Sequence, residues 1–512
     1  MSIIFKGGRL TSTRRNVIRF TSSLKSDKRL LKSVIKINEA HIIMMMEQRL
    51  VEYSTGVKLL QALSETESEI KLGSDVEDIH VWLEEEVINR TGSEIGGNLH
   101  IGKSRNDQVS TAIRMELREN LINLMVSLVK FQEVLIRLAG KHAKTIIPGY
   151  THLQPAQPVS FAHYLLSYVD LLERSLQRLE EAYQRVNLCP MGAGALATSS
   201  FPLDRKRVAD LLGFSGVLEN SIDAVGSRDF ILETMADLTI LAIDISRLVE
   251  DLIIWGSAEF GIINFPDNFS STSSIMPQKK NPEVLEVIRA RVSYVLGSFV
   301  TAASIMKALP DAYNLDFQEI TPQLWESLAN VNSSLGMLSK FVSHLKVNKV
   351  SFNGFRSFST STELANMLVR KYGIPFRTAH KIVGSLVKTL IANKLTLQDA
   401  TPELLQKIAS DFSASLSHIS AEDIRNFIDP LKFVETHNLT GGPSPVEVKR
   451  MLKVRRRWIV LSKSRLSEKK SKLDEAGDTL RHVIKSCSTL DSKASEKLKS
   501  LKGKLGEGFE VI

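Results

Sequence analysis

Across the central half of this chain the apolar residues recur at intervals of three and four over long stretches, and that period constrains the fold more than any other feature. From Val109, the positions Ala112, Ile113, Leu117, Leu121, Leu124, Leu128, Leu135 and Leu138 share one helical face. A single helix of about nine turns is predicted there. Comparable patterns run over residues 161–186, 228–260 and 282–309. Each is bounded by Pro or Gly punctuation such as Pro148-Gly149, Pro190-Met191-Gly192 or Phe265-Pro266. Helices this much longer than average predict an elongated bundle. Aromatic residues make up only 6% of the chain while aliphatic ones are plentiful, which favours helices packed on helices over a sandwich of short strands. The expected class is all-α.

After Asn353-Gly354 the periodic segments shorten, to residues 362–372, 377–393 and 401–410, and Gly441-Gly442-Pro443 breaks the chain again. The expected division is an N-terminal helical domain with a basic arm over 1–102, a long-helix bundle over 103–351, a small helical domain over 352–451 and a basic extension over 452–512. The extension is rich in Lys and Ser with weak periodicity, and reads as a low-stability helical hairpin or a partly disordered tail.

The formal net charge of +9 suggests a nucleic-acid partner until its location is examined. Residues 1–36 hold ten Lys or Arg and one acid, and residues 451–512 hold sixteen against eight. The body between them is acidic, forty against forty-eight, so no nucleic acid is expected. The first residues carry Arg9, Arg14, Arg15, Arg19 and Lys25 with no acid, the composition of an organelle transit peptide or of a basic arm on the mature fold. The most apolar run, 238–255, is interrupted by Asp244, Arg247, Glu250 and Asp251, so no membrane span is expected. Two cysteines, Cys189 and Cys487, cannot build a disulfide framework or a closed zinc site, which points to a reducing, cytoplasmic setting without structural metal.

Four polar segments interrupt the helical pattern. Gly97-Asn98-Leu99-His100-Ile101-Gly102-Lys103-Ser104 matches the phosphate-binding loop GxxxxGK[ST]. A working loop of that kind follows a buried strand, whereas residues 77–90 are acidic and helical in pattern, which weighs against a nucleotidase. Ser104-Arg105-Asn106-Asp107-Gln108 sits where a loop becomes a long helix. It is an ordinary N-cap or, with free N–H groups and a guanidinium fork, a carboxylate site. Residues 149–158 place His152 in a polar, proline-bound connection, where a histidine serves either structure or proton transfer. Residues 270–282, a run of hydroxyls followed by Pro277, Lys279, Lys280 and Asn281, have the composition of a mobile loop closing over an anion.

Three polar segments carried on four long helices resemble the signature regions of the fumarase/aspartase superfamily. Ser104 to Gln108 together with Met276-Pro277-Gln278-Lys279-Lys280-Asn281-Pro282 is similar to its argininosuccinate lyase branch. Further similarity covers roughly residues 5–450, including Gly7-Gly8-Arg9 and Ser23, which favours an uncleaved N-terminal arm.

The resemblance implies cofactor-free, metal-free cleavage of argininosuccinate to L-arginine and fumarate in arginine biosynthesis. It also implies a homotetramer with a twenty-helix core and active sites shared between subunits. By the same resemblance, Ser273 is the favoured base and Lys279 and Asn281 grip the carboxylate beside the acidic carbon. His152, paired with Glu286, is the acid or proton relay, although the roles of Ser273 and His152 can be exchanged. Ser23, Ser104, Arg105, Asn106, Thr151, Tyr313 and Gln318 match substrate-binding positions, and His100 is a further candidate. The chain departs from the pattern at Ile101, Lys103, Thr272, Leu315 and Thr321, where Thr, Arg, Gly and two Lys are usual. Two alternatives remain, a catalytically silent crystallin-like homologue and a P-loop NTPase.

Overall fold

The computed structural model describes residues 13–68, 76–350 and 352–504. Gly7-Gly8-Arg9 lies outside the described residues. Beyond short helical segments such as Arg15–Thr21 and Leu24–Asp27, the N-terminal helices α1 (Leu31–Glu47), α2 (Tyr53–Ser68) and α3 (Ile79–Thr91) precede four long ones and a fifth that returns beside them. The long helices are α4 (Arg105–Lys141), α5 (Phe161–Val186), α6 (Asp229–Trp255), α7 (Glu283–Met306) and α8 (Phe317–Ser343). Helix α4 packs on α5 and α8, α6 on α5, α7 and α8, and α7 on α8, so the five form one bundle. A row of residues from Ala112 through Leu138 on α4 is buried in a core that also takes in α1 to α3. The predicted long helices are therefore present, and α5 has the boundaries that its period predicts.

Small two-stranded sheets occupy the connections. β1 (Ile146–Thr151) and β2 (Gln154–Ser160) form a hairpin between α4 and α5. β3 (Ile263–Asn264) pairs with β6 (Lys346–Val347), and β4 (Ser271–Thr272) with β5 (Lys280–Asn281). The hairpin was expected as plain loop. Its alternation is hidden because Pro148, Pro155 and Pro158 interrupt the hydrophobic reading while lying on a short two-stranded ribbon that tolerates them.

Helices α9 (Ser361–Tyr372), α10 (Phe376–Ala392), α11 (Pro402–Ser410) and α12 (Ala421–Ile428) enclose a second core of Leu364, Leu368, Ile382, Leu386, Leu405 and Ile424, separate from that of the bundle.

The segment expected as a hairpin or disordered tail is instead one helix, α13 (Pro445–Lys504), which runs through the anticipated boundary at 451/452. It lies against α1, α2, α4 and α5 and buries Met451, Leu452, Ile459, Leu466 and Leu480. Its periodicity is faint because, beyond Val448, Met451 and Leu452, the buried apolar residues Ile459, Leu466 and Leu480 recur only about every two turns or more, while cations between them meet an acidic surface. Arg455 makes a forked pair with Asp170 at 2.7 Å, Arg465 bonds Glu180 at 3.1 Å and Lys463 bonds Glu133 at 2.6 Å. Leu466, 2% exposed, anchors this seam. Leu466→Ala is expected to lower stability by about 2–5 kcal/mol, read as a shift of the denaturant midpoint at fixed protein concentration.

Candidate active site

The site is organised at the start of α4. Ser104 Oγ accepts from Asn106 N at 3.3 Å and Asp107 Oδ1 accepts from Ser104 N at 3.0 Å, a capping box that fixes where the helix begins. Ser104 and Asp107 therefore cap the helix together. The next side chain, Arg105, is held by Asp78 Oδ2 at 2.7 Å and Glu77 Oε1 at 3.2 Å. Asp78 is itself the N-cap of α3, with Oδ1 accepting from His80 N and Val81 N, each at 2.9 Å. One buried carboxylate thus closes α3 and aims Arg105.

Arg105 faces a cavity of about 20 Å³, room for one water, lined also by Ser23, Asp27, Asp78, Tyr313, Gln318 and Thr321. Ser23 reaches it from the turn before α1 and hydrogen-bonds Asp27 through its Oγ. Burial pushes the Asp27 carboxyl up to about 6, opposed by its bond from Ser23. Tyr313 enters on the loop before α8, and burial raises its hydroxyl pKa. That loop comes close because position 226 is glycine: a Cβ there would lie 2.9 Å from the Ala312 backbone. Pro322, inside α8, has no N–H to offer the Gln318 carbonyl one turn back, which leaves that carbonyl free of the helix ladder at the cavity wall. A larger cleft of about 610 Å³ adjoins, sharing Ser23 and Gln318 and lined by Lys25, Lys28 and Arg29.

The other predicted residues lie elsewhere on the chain. Thr151 and His152 are exposed at the β1–β2 tip, where His152 (φ 55°) and Leu153 (φ 57°) both adopt the left-handed conformation. A two-residue turn of this kind favours Asn-Gly, so a His-Leu pair there stores strain. Behind it a cavity of about 440 Å³ is lined by Tyr150, His163, Tyr164, Asp251 and Trp255. Ser273 sits in the loop between β4 and β5, its Oγ accepting from Ile275 N at 3.3 Å and Met276 N at 3.2 Å. Lys279 is exposed on the same loop, Asn281 pairs with Ser271 across the β4–β5 ribbon, and Glu286 is exposed on the first turn of α7. Among the described residues no hydrogen bond or ion pair joins His152 to Ser273 or to Glu286.

The phosphate-loop reading fails on its context. Gly97–His100 is a 3₁₀ turn following the helical turn Ser93–Gly96, with no strand leading in. Lys103 is 8% exposed and donates to Asn38 Oδ1. Burial pulls its pKa down to about 8, against the attraction of Glu84 and Asp107. His100 pairs with Glu84 at 3.3 Å, away from the Arg105 cavity. Residues that the sequence did not single out are Asp78, Asp27 and Asn38. Only Asp78 had a signal, as an acid immediately before a helical period.

A family model described as "Lyase" matches residues 11–297, and one described as "Argininosuccinate lyase C-terminal" matches residues 358–435. The argininosuccinate lyase of Methanocaldococcus jannaschii is 41% identical over 94% of this chain and 99% of its own. The chain belongs to the argininosuccinate lyase family. The argininosuccinate lyase of Methanothrix thermoacetophila is 42% identical over 93% of this chain and 97% of its own. Among solved structures, EDDS lyase in complex with formate superposes with a TM-score of 0.86 at 29% identity, covering 91% of this chain and 93% of that one. A class II fumarase from Schistosoma mansoni, 17% identical with a TM-score of 0.66 over 80% of this chain and 91% of its own, shares the fold. The share matched in the M. jannaschii relative exceeds what residues 1–451 alone supply, so α13 has counterparts within the argininosuccinate lyase family and is not an appendage to it. Neither the crystallin-like nor the NTPase alternative is supported. Titrating the chain with ATP and Mg²⁺ is expected to give no binding heat and no thermal shift.

Proposed function

We propose that this chain is a cytoplasmic argininosuccinate lyase that splits L-argininosuccinate into L-arginine and fumarate as a homotetramer. The family membership supports the reaction, and the surroundings of Ser273 supply its chemistry. A serine hydroxyl is a weak base because its alkoxide is poorly stabilised in water. Here two backbone N–H groups, of Ile275 and Met276, point at Oγ. Such donors favour the anionic form and lower the cost of making it.

In this reading the Ser273 alkoxide takes a proton from the succinyl methylene carbon. The resulting negative charge spreads into the adjacent carboxylate, which Lys279 and Asn281 hold. The electron pair then forms the carbon–carbon double bond of fumarate as the carbon–nitrogen bond breaks. His152, oriented by Glu286, returns a proton to the departing guanidine nitrogen. Ser23, Ser104, Arg105, Asn106, Thr151, Tyr313 and Gln318 hold the substrate's anionic and polar groups in place. No step calls on a cofactor, a metal or a nucleic acid. Thr321, at the cavity wall where a Lys is usual, gives its hydroxyl to Phe317 O at 3.2 Å, which leaves Arg105 the principal cation of that cavity.

The scattering of these residues over one chain supports sites shared between subunits. Exposed apolar side chains support the assembly: Ile240 and Ile243 of α6 and Val287, Tyr294, Leu296 and Val300, on two flanks of α7, are exposed on a single chain. Packing α6 and α7 of four copies together with their neighbours would build the twenty-helix core.

Ser273→Ala is expected to cut kcat by about 10²–10⁴-fold in the ultraviolet assay of fumarate release, with assembly intact. A flat trace from correctly assembled wild-type protein would sink the lyase assignment and leave the crystallin-like alternative. Mixing Ser273→Ala with His152→Asn subunits by unfolding and refolding together is expected to restore part of the activity. No recovery would place both groups of one site on the same chain.

A further inference from the structure

Asp107 takes no part in the chemistry above, yet it is 0% exposed directly beneath the substrate-binding segment. Its two oxygens are divided between two pieces of chain. Oδ1 accepts from Ser104 N at 3.0 Å, and Oδ2 accepts from Gly192 N at 3.1 Å and Gly194 N at 2.9 Å in the loop between α5 and α6. A capping acid at the third helical position ordinarily turns its second oxygen to water. Here that oxygen holds a loop. Gly192 (φ 83°) and Gly194 (φ 64°) are both left-handed, which lets two nearby N–H groups converge on one oxygen. The neighbouring Asn106 adds a second tie, from Nδ2 to Ala195 O at 3.1 Å.

We infer that Asp107 is a positioning residue for the lyase reaction: its ionised carboxylate fastens the Gly192–Ala195 turn to the start of α4 and thereby fixes the direction of the Asn106 and Arg105 side chains. The inference rests on the function proposed above. An ionised carboxylate accepts strongly on both sides at once. A protonated one carries an O–H on one oxygen, which accepts only weakly, and Asn presents an NH₂ to one side whichever way it is flipped. Both changes weaken the hold on a backbone N–H and loosen the loop.

The charge state is also within reach of experiment. Burial pushes the Asp107 carboxyl up to about 6, while the N–H bonds from Ser104, Gly194 and Gly192 and the Lys103 ammonium pull it down. Cys189 and Arg205, on the α5–α6 connection, are the other titratable groups that act on it. Folding thus makes this carboxyl easier to protonate. The fastening is complete well above pH 6 and is lost as the pH falls through about 6.

The test is D107N in the assembled enzyme. Its kcat/KM is expected to fall by about 10²-fold, with kcat falling more than KM rises, because a misaimed clamp loses the reactive geometry. In a double-mutant cycle with N106A, the double variant is expected to lose little more than D107N alone. Wild-type kcat/KM should lose activity as the pH drops through 6, and D107N should lack that limb. Wild-type activity in assembled D107N, or additive losses in the cycle, would overturn the proposal.

Should D107N fail to assemble, hydrogen exchange of the wild-type 191–197 peptide decides. After correction for intrinsic rates, its protection is expected to drop between pH 7 and 5, in step with activity. Unchanged protection across that range would overturn the proposal. A wild-type enzyme with no fumarate trace would instead sink the functional reading, and the exchange measurement would still report on Asp107.

Discussion

Where α4 begins decides where everything else lies. This helix is 37 residues long, about 55 Å, and its apolar stripe is shared by the N-terminal helices, by α5, by α8 and by α13. A helix start is the one place on such a rod with uncommitted N–H groups. Ser104 and Asp107 close it with a capping box, which sets the register of Arg105 and Asn106 to within a side chain's length. A slip of one residue would turn these groups by roughly 100° around the helix axis, taking Arg105 out of the cavity and Asn106 away from Ala195. The same cap that stabilises the longest helix of the central bundle therefore also orients the proposed substrate-binding residues.

The bundle core carries an electrostatic cost that clarifies how the site is supported. Arg114 and Arg118, one turn apart on α4, are buried over Phe230 and Phe214 and donate to carbonyls at Arg185, Val186 and Leu212. Two of these carbonyls belong to the C-terminal turn of α5, where unpaired acceptors and the helix dipole both favour a cation. Arg228, fully buried over Phe317, donates to Val225 and Ser227 while its Nε and Nη2 have no partner among the described residues. Burial lowers the pKa of all three guanidinium groups to about 10, which still leaves them charged near neutrality. Cations are thus placed inside the protein at the ends of segments, and the loops bearing Gly192 and Tyr313 are packed between them.

Long helices were legible because a buried stripe of more than six turns repeats its own signal, as α4 to α7 do. The hairpin of β1 and β2 was not, since three prolines and a polar tip erase the two-residue alternation. Helix α13 was misread for a different reason: its partner surface is acidic, so lysine and arginine occupy positions that a helix packed on an ordinary core would fill with leucine. The excess of +9 is accounted for in part by this pairing, with Arg455, Lys463 and Arg465 meeting Asp170, Glu133 and Glu180. Among the candidate site residues, Ser23, Arg105, Tyr313 and Gln318 line one cavity, from three separate stretches of sequence. Asp78 and Asp107 could be read only as helix caps, because a carboxylate that also orients another side chain or a loop looks in sequence like any other cap.

The residues left apart are as informative as those brought together. His152 is carried exposed on a strained hairpin tip and Ser273 half-buried on a surface loop, while the cavity beside Arg105 is too small for the substrate. A monomer organised in this way holds the binding groups shut and the reactive groups in water, where a serine is a poor base. Ser273 and Glu286 flank the start of α7, and exposed apolar side chains from Val287 to Val300 stand along both flanks of the same helix. Covering them with other copies would withdraw the loop from solvent in the same event that excludes water from these side chains. In the proposed assembly, burial of hydrophobic surface and activation of the base are therefore one process, and dilution that separates the subunits removes both.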